Sequence, residues 1–334
     1  MMASGRETAA TGASWQPTAS RQILKSRAQQ LGWVRGFFAQ RGVLEVETPV
    51  LGQCGVTDVN IDSIAASPMA VAGQHGGRGW LQSSPEYHMK RLLAAGSGSI
   101  YQVSQVFRDG ERGRRHNPEF SLLEWYRPGF DDQQLMAEVA ELVCGWLDLP
   151  QPHRIGYRQL LRDHAGIDPF EASITDLRKA CRPLVGDGDL LESLDRDGCL
   201  NLLMSFRVEP ALGFDRPVFV TRYPASQAAL ARVSREDGHA VAHRFELYVR
   251  GIELCNGYWE LTDPQEQRRR FHDDNARRRG LGKTEMPVDE RFLAALESGL
   301  PDCAGVALGL DRLLMLKCGA DEISEVLAFP AERS

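Results

Sequence analysis

The sequence predicts an α+β fold built on an antiparallel sheet. Strand-like segments come in neighbouring pairs, residues 100–107 with 119–126 and 244–249 with 251–258. Helical stretches stand between these pairs, and residues 305–310 read as a strand running straight into a helix over 311–318. Hairpins with segregated helices indicate α+β, whereas strict alternation would indicate a parallel sheet.

In chain order, residues 1–19 are rich in Ala, Ser, Thr and Gly and read as a disordered tail, leaving 20–334 as one catalytic domain. Ser20 is placed to cap a helix reaching about Arg41, with Leu24, Ala28, Leu31, Val34 and Phe38 on its apolar face and Gly42 at its end. VLEVETPVL (43–51) reads as a strand. Residues 80–82 form a short strand before a helix that Pro85 starts. The hairpin of 100–126 carries a charged loop at 108–118, and a helix comes next over 133–147. Residues 150–215 mix short helical patterns without readable chemistry. Residues 218–220 suit a buried strand, and 263–279 form a charged helix with a basic end.

With 43% hydrophobic and 25% charged residues, the composition is that of a soluble globular protein. Net charge is −6, which argues against a dedicated nucleic-acid surface. The seven cysteines are irregularly spaced and lack a CxxC pair, so they read as reduced thiols of a cytoplasmic protein. No apolar run suggests a signal peptide or membrane span.

Four segments carry chemistry. FRDGERGRRHNPEF (107–120) gathers Arg108, Arg112, Arg114, Arg115 and His116 on one loop. Guanidinium groups pair bidentately with phosphate oxygens, so a polyphosphate is the natural ligand, and Phe120 offers a face to a purine. ELYVRGIELCNGYWE (246–260) sets Glu246 and Glu253 on one hairpin. Two carboxylates beside a phosphate loop suit Mg²⁺, while Asn256, Tyr258 and Glu260 come after them at strand spacing, with Glu260 able to receive an ammonium. GVALGLDR (305–312) joins a glycine-containing strand to a helix bearing Arg312, and SPEYHMKRLL (84–93) places Glu86 in a first helical turn. Taken singly, each has a plain alternative: a solvated basic loop, surface carboxylates, a packing glycine, a helix-dipole acid.

In combination, SPE, RHNPEF, EWY, ELxNGxxE and GxDR in this order resemble the catalytic core of class II aminoacyl-tRNA synthetases, within it the lysyl subgroup. They resemble most the paralogous elongation factor P–(R)-β-lysine ligase family, because the catalytic pattern begins about twenty residues in, without the anticodon-binding barrel of lysyl-tRNA synthetases. The resemblance covers roughly residues 20–330. It implies ATP and Mg²⁺, (R)-β-lysine or lysine as amino acid, elongation factor P as acceptor, and a homodimer built on the first helix and strand.

It also implies roles. Arg108 holds the α-phosphate and the substrate carboxylate. His116 and Arg312 meet the outer phosphates, and Asn117 and Phe120 the adenine. Glu246 and Glu253 bind the metal. Ser84, Glu86, Glu124, Tyr126, Asn256, Tyr258, Glu260 and Ala307 form the amino-acid pocket, with Glu260 on the ε-ammonium. The motif's usual Arg-x-Glu is broken by Gly110, so Glu111 can fill the acid's place only through a one-residue loop adjustment. Ser84 and Ala307 stand where lysyl-tRNA synthetases have Ala and Gly, and are expected to set a preference for β-lysine.

Overall fold

The computed structural model describes residues 15–67 and 78–334. Helix α1 (Arg21–Ala39) starts where expected, the Ser20 hydroxyl accepting from the Ile23 amide at 3.3 Å. Val34, Phe37 and Phe38 are among its buried side chains, whereas Leu24 is exposed on the single chain. Of the expected tail, residues 1–14 lie outside the described residues. Of the rest, Trp15 is exposed, whereas Ala19 is buried and the Thr18 amide donates to the Ala328 carbonyl at 2.9 Å.

The strand expected over 43–51 is broken. Its first part, β1 (Leu44–Glu45), pairs parallel with β5 (Ile100–Phe107). Pro49 has no amide to continue a ladder. The chain then leaves for a separate small sheet, where β2 (Leu51–Gly52) and β3 (Ala65–Ala66) flank β4 (Gly79–Leu81). Helix α2 (Glu86–Ala94) comes after it, then β5 and β6 (Glu119–Pro128) as the long hairpin, and α3 (Asp132–Leu147) behind an Asp131–Gln134 capping box.

Residues 150–215, opaque in sequence, form β7 (His153–Gly156) and the helices α4 (Tyr157–Ala165), α5 (Ile174–Val185), α6 (Asp189–Ser193) and α7 (Arg196–Leu203). Leu160, Leu177 and Leu200 bury against β8 (Val218–Pro224) and β10 (His239–Val249). Strand β9 (Val233–Glu236) pairs with β10, and β10 turns at Arg250–Gly251, both with positive φ, into β11 (Ile252–Trp259). Helix α8 (Pro264–Gly280) comes next. Helix α9 (Glu290–Gly299) is not among the expected elements, although Asp289 ahead of an apolar triad, Phe292, Leu293 and Leu296, is a readable cap signal. Strand β12 (Cys303–Gly309) then runs directly into α10 (Leu310–Cys318).

The main sheet has the order β1-β5-β6-β12-β11-β10-β8-β7. It is antiparallel except for the β1–β5 and β7–β8 pairs at its ends. Period-2 alternation gives it two faces. One carries Leu123, Trp125, Leu247, Val306 and Leu308 into the core shared with α1, α3 and α10. The other carries the polar side chains of the site.

Asp311 ties three distant segments together beneath that site. Its buried carboxylate pairs with Arg27 of α1 and accepts from the Ser121 amide of β6 at 2.7 Å. Removing one partner of a buried ion pair leaves an uncompensated charge. Asp311→Ala is therefore expected to lose about 3 kcal/mol of unfolding free energy in urea titration. A loss below about 0.5 kcal/mol, the scale of an ordinary surface change, would show that the pin carries no load.

Candidate active site

The polar face of the sheet is organised by strand register. One row runs Glu124 of β6, Ala307 of β12, Asn256 of β11 and Glu246 of β10, each directly opposite the next. The adjacent row runs Tyr126, Gly305, Tyr258 and Arg244. Between Leu247 and Tyr248 the register shifts, so that Tyr248 faces Glu253 while Leu247 faces Cys255. This bulge gives β11 an extra residue and re-aims the side chains beyond it. It lets Glu253 and the Asn256–Tyr258–Glu260 series share one face despite their odd separation.

These residues line a cleft of about 1380 Å³ together with Arg108, Arg115, His116 and Arg312, whereas Arg112 and Arg114 of the same loop do not line it, Arg114 lying 3.5 Å from Asp321. At one end Arg312 donates to the Glu253 carbonyl at 3.0 Å and meets Nε2 of His116 at 2.8 Å. Burial and the neighbouring Arg312 lower the His116 pKa, so its ring is neutral and accepts from the guanidinium. Arg108 lies 5.0 Å over the Phe120 ring, and its Nε–H is buried without a partner, a donor left for an anion. Glu111 approaches it at 3.5 Å after the left-handed Gly110, so the displaced acid does reach the cleft.

The Asn117 side chain donates to the Glu119 carbonyl at 2.6 Å and accepts from the Ala331 amide at 3.0 Å, bonds that shape the loop and, among the described residues, leave one N–H and one oxygen lone pair of the amide free. One expectation needs correction. Glu246, expected as a metal ligand, instead has a carboxylate that accepts from Tyr223 and Tyr248 hydroxyls at 2.6 Å each, from Asn256 at 3.2 Å and from Arg244. Those four donors fill its lone pairs. Glu253 is the open carboxylate, its pKa raised by burial and by Glu246. Among the described residues no group of three or more His, Cys, Asp or Glu side chains could hold a metal by itself. A Mg²⁺ that arrives on nucleotide phosphates needs only one or two carboxylates, and Glu253 fits that requirement.

The other end of the cleft is a carboxylate chamber. Glu124 is buried and accepts from Ser84 Oγ at 2.7 Å and Tyr126 OH at 3.1 Å. Burial, then Glu86, pushes its pKa up to about 8. The Ser84 hydroxyl also accepts from the Glu86 amide at 3.0 Å, at the start of α2. Glu260 is buried, its Oε1 lacks a partner, and Oε2 lies 2.6 Å from Lys90, which also bonds Glu86 at 2.6 Å.

With this geometry in view, the chain matches the family described as tRNA synthetases class II (D, K and N) over residues 13–333. It is 50% identical to a Histophilus somni protein named elongation factor P–(R)-β-lysine ligase, across 94% of this chain and 97% of that one. Proteins of the same name from Edwardsiella ictaluri and Pectobacterium atrosepticum are each 49% identical, across 96% of this chain and 99% and 98% of theirs.

The chain belongs to the class II tRNA synthetase family.

Arg108 and Arg312 come from distant segments, and both reach one cleft. Several working residues of this class II site are invisible to the sequence reading. Lys90 is an ordinary letter of SPEYHMK, Arg244 stands just outside the 246–260 motif, Tyr223 is distant from every motif, and Asp311 is overshadowed by its neighbour Arg312. Gly305 stands out only as part of a glycine-containing strand. A Cβ there would stand 2.2 Å from the Tyr126 ring and 2.5 Å from Glu260 Oε1. The absent side chain is thus what lets Tyr126 and Glu260 meet across β12. Gly305→Ala is expected to weaken amino-acid binding by about a hundred-fold through overpacking while sparing the nucleotide end. Equal losses for ATP and amino acid in exchange kinetics would show that the strand itself had shifted.

Proposed function

We propose that this protein uses ATP, with Mg²⁺, to activate a lysine-type amino acid, (R)-β-lysine in particular, as its adenylate and then transfers it to a lysine side chain of elongation factor P. One observation carries the reading: a single cleft has an anion-binding end at Arg108, His116 and Arg312 and a buried three-carboxylate end at Glu86, Glu124 and Glu260. A zwitterionic diamine bound between them would present its carboxylate to the nucleotide and its ammonium groups to the acids. Similarity to proteins named for this activity supports the acceptor. The cytoplasmic setting inferred from the thiols and a homodimer built on α1 belong to the same proposal. Leu24, Trp33 and Leu44 are exposed on that segment.

In the first step a substrate carboxylate oxygen attacks the α-phosphorus of ATP. An O–P bond forms, the bond to the β-phosphate bridge breaks, and pyrophosphate leaves. Arg108 holds the incoming carboxylate and the α-phosphate together, its partnerless Nε–H providing one donor, and its charge meets the negative charge that grows there. Arg312, kept in place by the Glu253 carbonyl and neutral His116, receives the departing pyrophosphate. Phe120 supports the base. Bound Mg²⁺ would add charge neutralisation at the leaving phosphates, held by Glu253, while Glu246 keeps Arg244, Tyr223, Tyr248 and Asn256 in register around it. In the second step the neutral acceptor amine attacks the adenylate carbonyl, an amide forms, and AMP leaves.

The deciding experiment is the intact mass of elongation factor P after incubation with enzyme, ATP and (R)-β-lysine. The expected product carries one added β-lysyl group, and Arg108→Ala abolishes both this product and ATP–pyrophosphate exchange. Unmodified elongation factor P together with labelled tRNA would instead favour a tRNA-acylating enzyme.

Ser84 and Ala307 both adjoin Glu124, one by hydrogen bond and one by register, which supports their part in choosing between α- and β-lysine. Ala307→Gly is expected to shift the adenylation ratio towards α-lysine. An unchanged ratio would clear Ala307 of that role.

A further inference from the structure

Lys90 projects from α2 into the wall of the carboxylate chamber and is itself completely buried. Its ammonium contacts Glu86 of its own helix and Glu260 beyond the end of β11, each at 2.6 Å. The Phe292 ring of α9 closes the rear, its centroid 5.9 Å away. The other titratable groups facing this spot are Glu124 and Tyr126 of β6, Tyr258 of β11 and Cys303 of β12, with Asp302 and Arg232 further out. A fully buried lysine at a substrate site is costly to desolvate unless it is paired, so its presence demands a reason.

Charge balance supplies one. Glu86, Glu124 and Glu260 carry three negative charges when ionised. Two ammonium groups of a diamine substrate neutralise two of them, and Lys90 neutralises the third. Without a resident cation, the loaded chamber would reach neutrality only by keeping a proton on one carboxylate. Glu260, buried, with Lys90 on Oε2 and no partner for Oε1 among the described residues, is the one placed to keep it. A protonated Glu260 offers a substrate ammonium a neutral acceptor in place of a charged one, and charge-assisted bonds are about twice as strong.

We propose that Lys90 is a resident counter-ion of the amino-acid pocket, a positioning residue that acts through Glu260 by keeping it ionised when a substrate with two ammonium groups is bound. This rests on the diamine reading of the site. Burial raises the pKa of both Glu124, to about 8, and Glu260, so the empty chamber favours protons on these acids. The entering diamine displaces those protons, and its affinity rises with pH above 7.

The test is ATP–pyrophosphate exchange with (R)-β-lysine, measured from pH 7 to pH 9 in the wild type, Lys90→Gln and Lys90→Arg. Lys90→Gln is expected to raise the KM for the diamine by about ten-fold or more at pH 7, the worth of one charge-assisted bond, and to leave the KM for ATP unchanged. The penalty shrinks towards pH 9, where Glu260 loses its retained proton. Lys90→Arg keeps the wild-type pH profile. A penalty independent of pH, or a parallel rise in the KM for ATP, would reduce Lys90 to a structural support and overturn the proposal. Should Lys90→Gln not fold, titration calorimetry of the wild type with (R)-β-lysine at pH 7, in two buffers of different ionisation enthalpy, decides the matter. More than one proton released supports the neutral count of three acids against three cations, and one or none overturns it. Wild-type enzyme that exchanges with neither lysine nor β-lysine would sink the proposed function itself, a result separable from any of these.

Discussion

The site depends on the register of four strands. Because Glu124, Ala307, Asn256 and Glu246 stand directly opposite one another, and Tyr126, Gly305, Tyr258 and Arg244 do the same one step along, side chains from four separate stretches of sequence meet in two straight rows. A one-residue slip in any strand would exchange that strand's polar face for its apolar one. The apolar side of the sheet resists such a slip, since Leu123, Trp125, Val306 and Leu308 are buried there against α1, α3 and α10. The hydrophobic core therefore acts on function indirectly, by fixing which residues can be neighbours in the cleft.

The two ends of that cleft obey different electrostatic rules. At the end with Arg108 and Arg312, guanidinium groups keep an unused donor and stand beside a neutral histidine, an arrangement suited to a ligand that brings its own negative charge. At the chamber end, Glu86, Glu124 and Glu260 outnumber the buried Lys90, and desolvation raises the pKa of Glu124 and Glu260, so that a cationic ligand can replace their protons. Ordered polar contacts stabilise both ends before any ligand arrives, so little reorganisation is required when it does.

Much of this is legible in the sequence. The hairpins at 100–126 and 244–258, the strand leading into α10, and the set of residues around the cleft can all be read from alternation and from four motifs. The rest is hidden for physical reasons. Lys90 looks like any lysine on a helix, because burial is not visible in one residue's identity. The saturation of Glu246 depends in part on Tyr223, which only pairing of β8 and β10 brings near it. The broken strand at Pro49 is readable in principle, since proline lacks the amide a ladder requires. The helical region over 150–215 has short, unevenly spaced apolar residues that gain meaning only against β8.

The bulge in the β10–β11 hairpin makes the site unequal in its tolerance of change. Substitutions alter one side chain at a time, but parity along β11 is a property of the whole strand. A single-residue deletion between Glu253 and Asn256 would remove the bulge and leave backbone pairing and the Arg250–Gly251 turn available. Because Leu254 is the residue without a partner there, its loss would leave Asn256 opposite Glu246 and Tyr258 opposite Arg244, and would make every separation among Glu253, Asn256, Tyr258 and Glu260 even. Length can change by one residue at the bulge; further along β11 the same change would turn every side chain beyond it to the opposite face.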